Sequence, residues 1–193
     1  MKNEQIKKLN KLRREIIDID IYEYINNLLK NLYIEITGNY EGNTLYLMKR
    51  NLLEGWCWQT TESTIIFFND DDYICRGNLK LDKNTTYYHS WICFNYQNKE
   101  FVFDPCLNIL CKKKLYDKVF QVKIISKLTA KTIKEDLINK ILNKTQKKDE
   151  VLVTGNDKDD INEPMYRNYT GYTANIENNQ IKALKAHYYK RLY

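Results

Sequence analysis

The chain has 193 residues, of which 43% are hydrophobic and 13% aromatic, and its formal net charge is +6. This length suits one main core with a modest extension, and the hydrophobic fraction excludes a wholly disordered chain. Because 25 acidic residues are interspersed among 31 basic ones, the charge does not point to nucleic acid as a partner. No stretch resembles a membrane span or a signal peptide, so we expect a cytoplasmic protein with no membrane partner.

The N-terminal third of the chain has the apolar spacing of helices. Apolar side chains recur every three or four positions over residues 6–16 and 21–32, which predicts helices with one buried stripe each. A shorter helix is predicted over residues 44–53 by the same spacing. After Gly55, which permits an abrupt turn, a further helix is predicted to begin at Cys57.

Beyond this point the pattern changes to the alternation that is typical of strands. Three such segments are joined by short turn-forming stretches, which predicts an antiparallel meander over residues 73–81, 87–96 and 100–105. A further strand is predicted over residues 119–126, and a surface helix over residues 129–145. The predicted fold class is therefore α+β, with N-terminal helices packed on an antiparallel sheet.

The composition becomes charged and polar after the predicted surface helix. We therefore expect a core formed by residues 1–145 and a C-terminal extension, residues 146–193, that packs on it. The basic and tyrosine-rich end, residues 181–193, is predicted to be an edge strand or a short helix whose tyrosines pack on the core. The alternative is a surface that binds a strand of nucleic acid by stacking and charge.

Cys57 is the candidate nucleophile. The five cysteines are an odd number without paired spacing, so free thiols are expected rather than a disulfide framework. A cysteine reacts as its thiolate, which a helix N-terminus and a neighbouring imidazolium both stabilise. Cys57 begins a predicted helix, and the free backbone N–H groups of its first turn could also hold a developing oxyanion.

His89 is the candidate base, and Asp104 is the candidate group that orients it. The chain has only two histidines, and the other, His187, lies near the C-terminus. His89 stands on one predicted strand, and the next strand ends at Asp104. Because these strands are expected to be antiparallel neighbours, the carboxylate should lie beside the imidazole, fix its tautomer and stabilise its cation.

The segments GWCWQTT, YICRGNL and HSWICFNYQNKEFVFDP together resemble the transglutaminase-like core, shared with peptide N-glycanases and many papain-like thiol peptidases. In that family a cysteine at a helix start precedes a His-x-Trp strand and then an Asp-Pro pair. The resemblance covers about residues 55–108 and implies a catalytic triad of Cys57, His89 and Asp104. It further implies a cysteine protease or acyltransferase that works through a thioester acyl-enzyme, with no metal or organic cofactor.

We expect hydrolysis of a peptide or isopeptide bond, with a protein or peptide as the substrate. Transfer of the acyl group to an amine, as in a transglutaminase, would use the same thioester and remains open. Trp56, Trp58 and Trp91 flank the candidate nucleophile and base in the sequence and are predicted to bind the substrate, with Trp56 and Trp58 lining the pocket for its acyl part.

Other interpretations of the same residues stay open at this point. Cys57 could be a buried structural thiol, and His89 could simply pack in the sheet. Cys93, Cys106 and Cys111 could form a metal site with His89, although no close Cys-x-x-Cys pair is present. A catalytically silent module that recognises a peptide or nucleic acid through a tyrosine-rich surface is the alternative from another functional class.

Overall fold

The computed structural model describes residues 3–15, 17–36, 40–50, 52–53, 55–144, 169–177 and 180–189. Its helices are α1 (Asn3–Arg13), α2 (Ile19–Leu29), α3 (Thr44–Lys49), α4 (Cys57–Ile65), α5 (Lys113–Phe120) and α6 (Ala130–Lys144). Its strands are β1 (Leu32–Ile36), β2 (Tyr40–Asn43), β3 (Tyr73–Lys80), β4 (Thr86–Tyr96), β5 (Lys99–Asp104), β6 (Ile109–Lys112), β7 (Lys123–Thr129), β8 (Tyr169–Glu177) and β9 (Gln180–Tyr189). None of the helices in these residues is both long and apolar enough to cross a membrane.

A five-stranded antiparallel sheet, in the order β6-β5-β4-β3-β7, carries the candidate site. The predicted three-strand meander is confirmed as β3, β4 and β5, in which Tyr73 pairs with Cys93 and Ile92 pairs with Phe103. The predicted helices near the N-terminus, at Cys57 and after residue 129 are present as α1, α2, α3, α4 and α6, although α3 ends at Lys49 and not at residue 53 as predicted. The α+β fold class is confirmed as well.

Side chains of this sheet alternate between two hydrophobic clusters. Phe103 joins the cluster that includes residues of α2 and α4, whereas Trp91 and Val102 join the cluster that includes residues of α1 and α5. His89 and Asp104 have the same phase along their strands as Trp91 and Val102, respectively. The period of two therefore directs the candidate base and its carboxylate to the same face of the sheet.

The prediction of a helix over residues 21–32 was wrong at its C-terminal end. Helix α2 ends at Leu29, and strand β1 begins at Leu32, with β2 antiparallel to it. Leu32, Ile34 and Ile36 are buried at alternate positions, which is the pattern of a strand with one face in the core. Because Leu28, Leu29 and Leu32 also fit helical spacing, the end of one pattern overlaps the start of the other.

The prediction over residues 119–126 was wrong in its first part. Residues Val119 and Phe120 belong to α5, and strand β7 begins only at Lys123. Tyr116, Val119 and Phe120 are buried at helical spacing, so packing of one helix face on the sheet determines this segment. Gln121 then ends the helix in the left-handed conformation, with φ of 47°.

The C-terminal strands complete a second sheet, in the order β2-β1-β9-β8. Strand β9 runs parallel to β1 and antiparallel to β8, so it is an inner strand of this sheet. The prediction of an edge strand or a short helix at the C-terminal end was therefore wrong. Ala174, Leu184 and Ala186 are buried in the same cluster as Ile34. The described part of residues 146–193 thus shares a core with the N-terminal region, while residues 145–168 and 190–193 lie outside the described residues.

Gly77, which pairs with His89, is expected to be required for the close packing of β3 on β7. A Cβ atom at this position would lie 2.3 Å from the Lys123 carbonyl oxygen. Because this oxygen belongs to the backbone, the clash can be relieved only by a shift of the strand itself. Gly77→Ala should therefore lower the free energy of unfolding by about 1–3 kcal/mol in urea denaturation. The control is Lys80→Ala, at an exposed position of the same strand, and an equal effect of the two substitutions would contradict the prediction.

Candidate active site

Cys57 is the first residue of α4, as predicted from the sequence. Gly55 has a φ of +87°, a conformation that glycine adopts without a Cβ penalty, and this lets the chain turn into the helix. The first N–H groups of a helix have no partner within it, so the sulfur lies at an electropositive end. Cys57 is buried but keeps 7% of its surface exposed.

A pair of hydroxyl groups holds the start of α4 against β4. The Oγ1 of Thr61 donates to the carbonyl oxygen of Cys57 at 2.7 Å and lies 2.8 Å from the Oγ of Ser90. Since the single hydroxyl proton of Thr61 is used on the carbonyl, Ser90 is the donor between the two hydroxyls. Ser90 follows His89 directly in the chain, so this contact fixes the first turn of α4 beside the candidate base.

The imidazole of His89 and the carboxylate of Asp104 form a fully buried pair. The Nε2 of His89 lies 2.8 Å from the Oδ2 of Asp104, and both side chains have no exposed surface. Two more donors reach the carboxylate: the hydroxyl of Tyr116 donates to Oδ2 at 2.7 Å, and the N–H of Leu107 donates to Oδ1 at 3.0 Å. These three hydrogen bonds replace the hydrogen bonds to water that the carboxylate loses on burial.

Tyr116 is the residue at this site that the sequence prediction missed. It lies on α5, for which no helix was predicted, and the last two residues of this helix were predicted as the start of a strand. Burial and the charge of Asp104 raise the pKa of Tyr116 well above its usual value. The phenol therefore stays protonated and remains a hydrogen-bond donor to the carboxylate.

The electrostatic surroundings of His89 favour its protonated form. Burial alone would lower the pKa of His89. The charge and hydrogen bond of Asp104, together with the sulfur of Cys57, outweigh burial and raise this pKa to about 10. The Nδ1 of His89 is buried and has no aligned hydrogen-bond partner in the described part of the chain. Because Asp104 uses Nε2, Nδ1 is the nitrogen left for the Cys57 sulfur. The arrangement can therefore hold a protonated imidazole between the carboxylate of Asp104 and the sulfur of Cys57.

The remaining cysteines have different surroundings from Cys57. Burial raises the pKa of Cys106 and Cys111. The sulfurs of Cys75 and Cys93 lie 3.7 Å apart, and their contact raises the pKa of Cys93 and lowers that of Cys75, which is fully buried. Among the described residues, no three His, Cys, Asp or Glu side chains lie close enough together to hold a metal ion.

The three tryptophans that were predicted to bind the substrate differ in how far their side chains are buried. Trp56 and Trp91 are 4% and 0% exposed, and each belongs to a hydrophobic cluster of the core. Trp91 packs between the rings of His89 and Tyr116, so it supports the pair from inside rather than lining an open cleft. Trp58 keeps part of its ring exposed, and it is the one of the three that a substrate could contact directly.

Asp104→Asn tests the buried pair through the pH dependence of stability. The pKa of His89 is raised from 6.5 to about 10, so protonation of His89 stabilises the fold fully below pH 6.5. This contribution is lost as the pH rises through about 10. The variant should be less stable than the wild type by about 3–5 kcal/mol near pH 6, with a smaller difference towards pH 10.

Urea denaturation between pH 6 and pH 10 measures this difference. The control is Asp70→Asn, which removes an exposed carboxylate that pairs with Lys134. The pKa of Asp70 is lowered by Lys134, so this group stays ionised throughout the range and its effect should not change with pH. A constant difference between wild type and Asp104→Asn would contradict the prediction.

Tyr116→Phe should raise the pKa of His89 further, by about one unit. Without the hydroxyl, the Oδ2 of Asp104 loses a donor and interacts more strongly with the imidazolium. NMR titration of the imidazole measures this pKa, and a His187→Gln background leaves a single histidine to follow. Tyr73→Phe removes a hydroxyl that binds Glu100 instead and is the matched control. A pKa of His89 that is unchanged or lowered in Tyr116→Phe would refute this role.

Comparison with known proteins adds no assignment to this geometry. No protein-family model, no curated protein and no solved structure matches the chain. The family resemblance of residues 55–108 therefore stays a prediction.

Proposed function

We propose that the chain is a cysteine-dependent acyl-transfer enzyme with a transglutaminase-like core, which hydrolyses a peptide or isopeptide bond in a protein or peptide substrate. Cys57 is the nucleophile, His89 the acid and base, and Asp104 the group that orients the imidazole. The observation that carries the proposal is that Asp104 binds one nitrogen of His89 and leaves the other for a sulfur at a helix N-terminus.

In the first half of the reaction, the Cys57 thiolate attacks the carbonyl carbon of the scissile amide. A carbon–sulfur bond forms, and the carbonyl electron pair moves to oxygen, where N–H groups of the first turn of α4 can stabilise it. The imidazolium of His89 then gives its proton to the leaving nitrogen as the carbon–nitrogen bond breaks. The products of this half are an amine and a thioester on Cys57.

In the second half, neutral His89 accepts a proton from a water molecule that attacks the thioester. The carbon–sulfur bond breaks, the acid product leaves, and the thiolate–imidazolium pair is restored. Three donors bind the carboxylate of Asp104, whose role in the cycle is to orient the imidazole and stabilise the imidazolium. The raised pKa of His89 suits this cycle because the proton needed by the leaving amine is already present at neutral pH.

The burial of the site sets the direction from which a substrate approaches. His89 and Asp104 have no exposed surface, whereas Cys57 retains a small exposed area. The substrate carbonyl is therefore expected to arrive on the sulfur side, while the carboxylate and imidazole stay shielded from bulk solvent, and the hydrolytic water has to enter from the sulfur side as well. Shielding of this kind strengthens the charge interactions within the pair.

Selective alkylation tests whether Cys57 is an activated thiolate. At about pH 6, iodoacetamide should label Cys57 about tenfold or more faster than the other four cysteines, as measured by peptide mass spectrometry. His89→Gln should slow this labelling, because it removes the counter-charge of the thiolate. Cys106→Ala is the control, since it removes a nearby thiol whose pKa is raised by burial. Equal labelling of Cys57 and Cys106 in the wild type would favour the catalytically silent module.

The fate of the thioester separates hydrolysis from transfer. A trapped acyl-enzyme incubated with a labelled primary amine in water gives either free acid or labelled amide. Mainly free acid supports hydrolysis, whereas mainly amide makes the chain an acyltransferase that uses the same three residues.

A further inference from the structure

Two partly exposed aromatic side chains adjoin the proposed nucleophile and base in the chain, and they meet in space. Trp58 follows Cys57, and Tyr88 precedes His89. Their ring centroids lie 5.8 Å apart with an interplanar angle of 41°. Tyr88 is 42% exposed, and Trp58 is half-buried. The chain neighbours of the proposed nucleophile and of the proposed base therefore form one aromatic surface.

The ring of Trp58 is also in contact with Arg76. The guanidinium carbon of Arg76 lies 3.8 Å from the centroid of the indole, within the range of a cation–π contact. The same guanidinium forms an ion pair with Glu62 of α4. These contacts join α4 to β3 and hold the indole in place, so the position of Trp58 does not depend on a bound substrate.

The ion pair also determines the charge of this surface. The positive charge of Arg76 is compensated by the carboxylate of Glu62, so neither group acts as a single uncompensated charge that would attract an acidic or basic side chain. A charged group placed against the two rings would lose water without gaining a counter-ion. An uncharged side chain with a large apolar surface gains contact area with both rings instead.

We propose that Trp58 and Tyr88 form an aromatic subsite that selects substrates with an aromatic or large aliphatic side chain on the acyl side of the scissile bond. This inference rests on the proposed function and names the class of peptide that the same site accepts. The tilt between the rings makes a wedge rather than a flat surface, which suits a side chain that contacts one ring by its face and the other by its edge.

A set of peptidyl acyloxymethyl ketones that differ in one residue tests the subsite. The residue next to the reactive ketone is Phe, Leu, Asp or Lys, and the rate constant for labelling of Cys57 is measured by intact mass. Each rate is divided by the iodoacetamide rate of the same protein, which corrects for changes in the thiolate itself. For the wild type we expect the Phe and Leu probes to react about tenfold faster than the Asp and Lys probes.

Substitutions of Tyr88 separate a subsite from simple packing. Tyr88→Ala should reduce the ratio for the Phe probe about fivefold to tenfold, whereas Tyr88→Phe, which keeps the ring, should preserve the preference. Tyr33→Ala removes a similarly exposed tyrosine from β1 and should have no effect. An unchanged Phe ratio in Tyr88→Ala would overturn the inference.

The same experiment distinguishes the failure of this inference from failure of the proposed function. Selective iodoacetamide labelling of Cys57 without any preference among the four probes overturns the aromatic subsite and leaves the acyl-transfer proposal standing. Labelling of Cys57 that is no faster than that of the other cysteines overturns both.

Discussion

The hydrogen bond between His89 and Asp104 is the constraint on which the rest of the site depends. Both groups are fully buried, and a charged pair is tolerated in a core only when its remaining hydrogen-bonding positions are also filled. Tyr116 and the backbone of Leu107 fill them on the carboxylate side. Helix α5 therefore has two tasks: it covers one face of the sheet with apolar side chains, and it supplies a hydroxyl to the acid that polarises the imidazole.

The parts of the site that local sequence signals could predict are the start of α4 and the strands of the meander. Gly55 before Cys57 marks an abrupt helix start, and the alternation on either side of a short turn places Asp104 on the strand beside His89. The chain has only two histidines, so few residues could be the base. Each of these inferences needs only the period of an element and the order of neighbouring elements.

The parts that could not be predicted depend on contacts between distant segments. Tyr116 binds Asp104 only because α5 packs on β5, and its segment has no sequence signal for that contact. Trp56, Trp58 and Trp91 look alike in the sequence, yet two are core residues and one is partly exposed, because tertiary packing decides which ring is covered. The parallel pairing of β1 with β9 joins residues near opposite ends of the described chain and likewise has no local signal.

The insertion of β9 between β1 and β8 has a consequence for how the molecule is made. Strand β1 is synthesised before the five-stranded sheet and α6, whereas its parallel neighbour β9 is synthesised after them. Until then, one side of β1 has backbone N–H and C=O groups without their native partners and an apolar face without Leu184 and Ala186. Pairing of β1 with β9 brings together residues that are far apart in the sequence, and contacts of this kind form slowly during folding. Until β9 has been made, the nascent chain therefore has an exposed strand edge that could pair with other chains, and a chaperone that binds this edge would protect it.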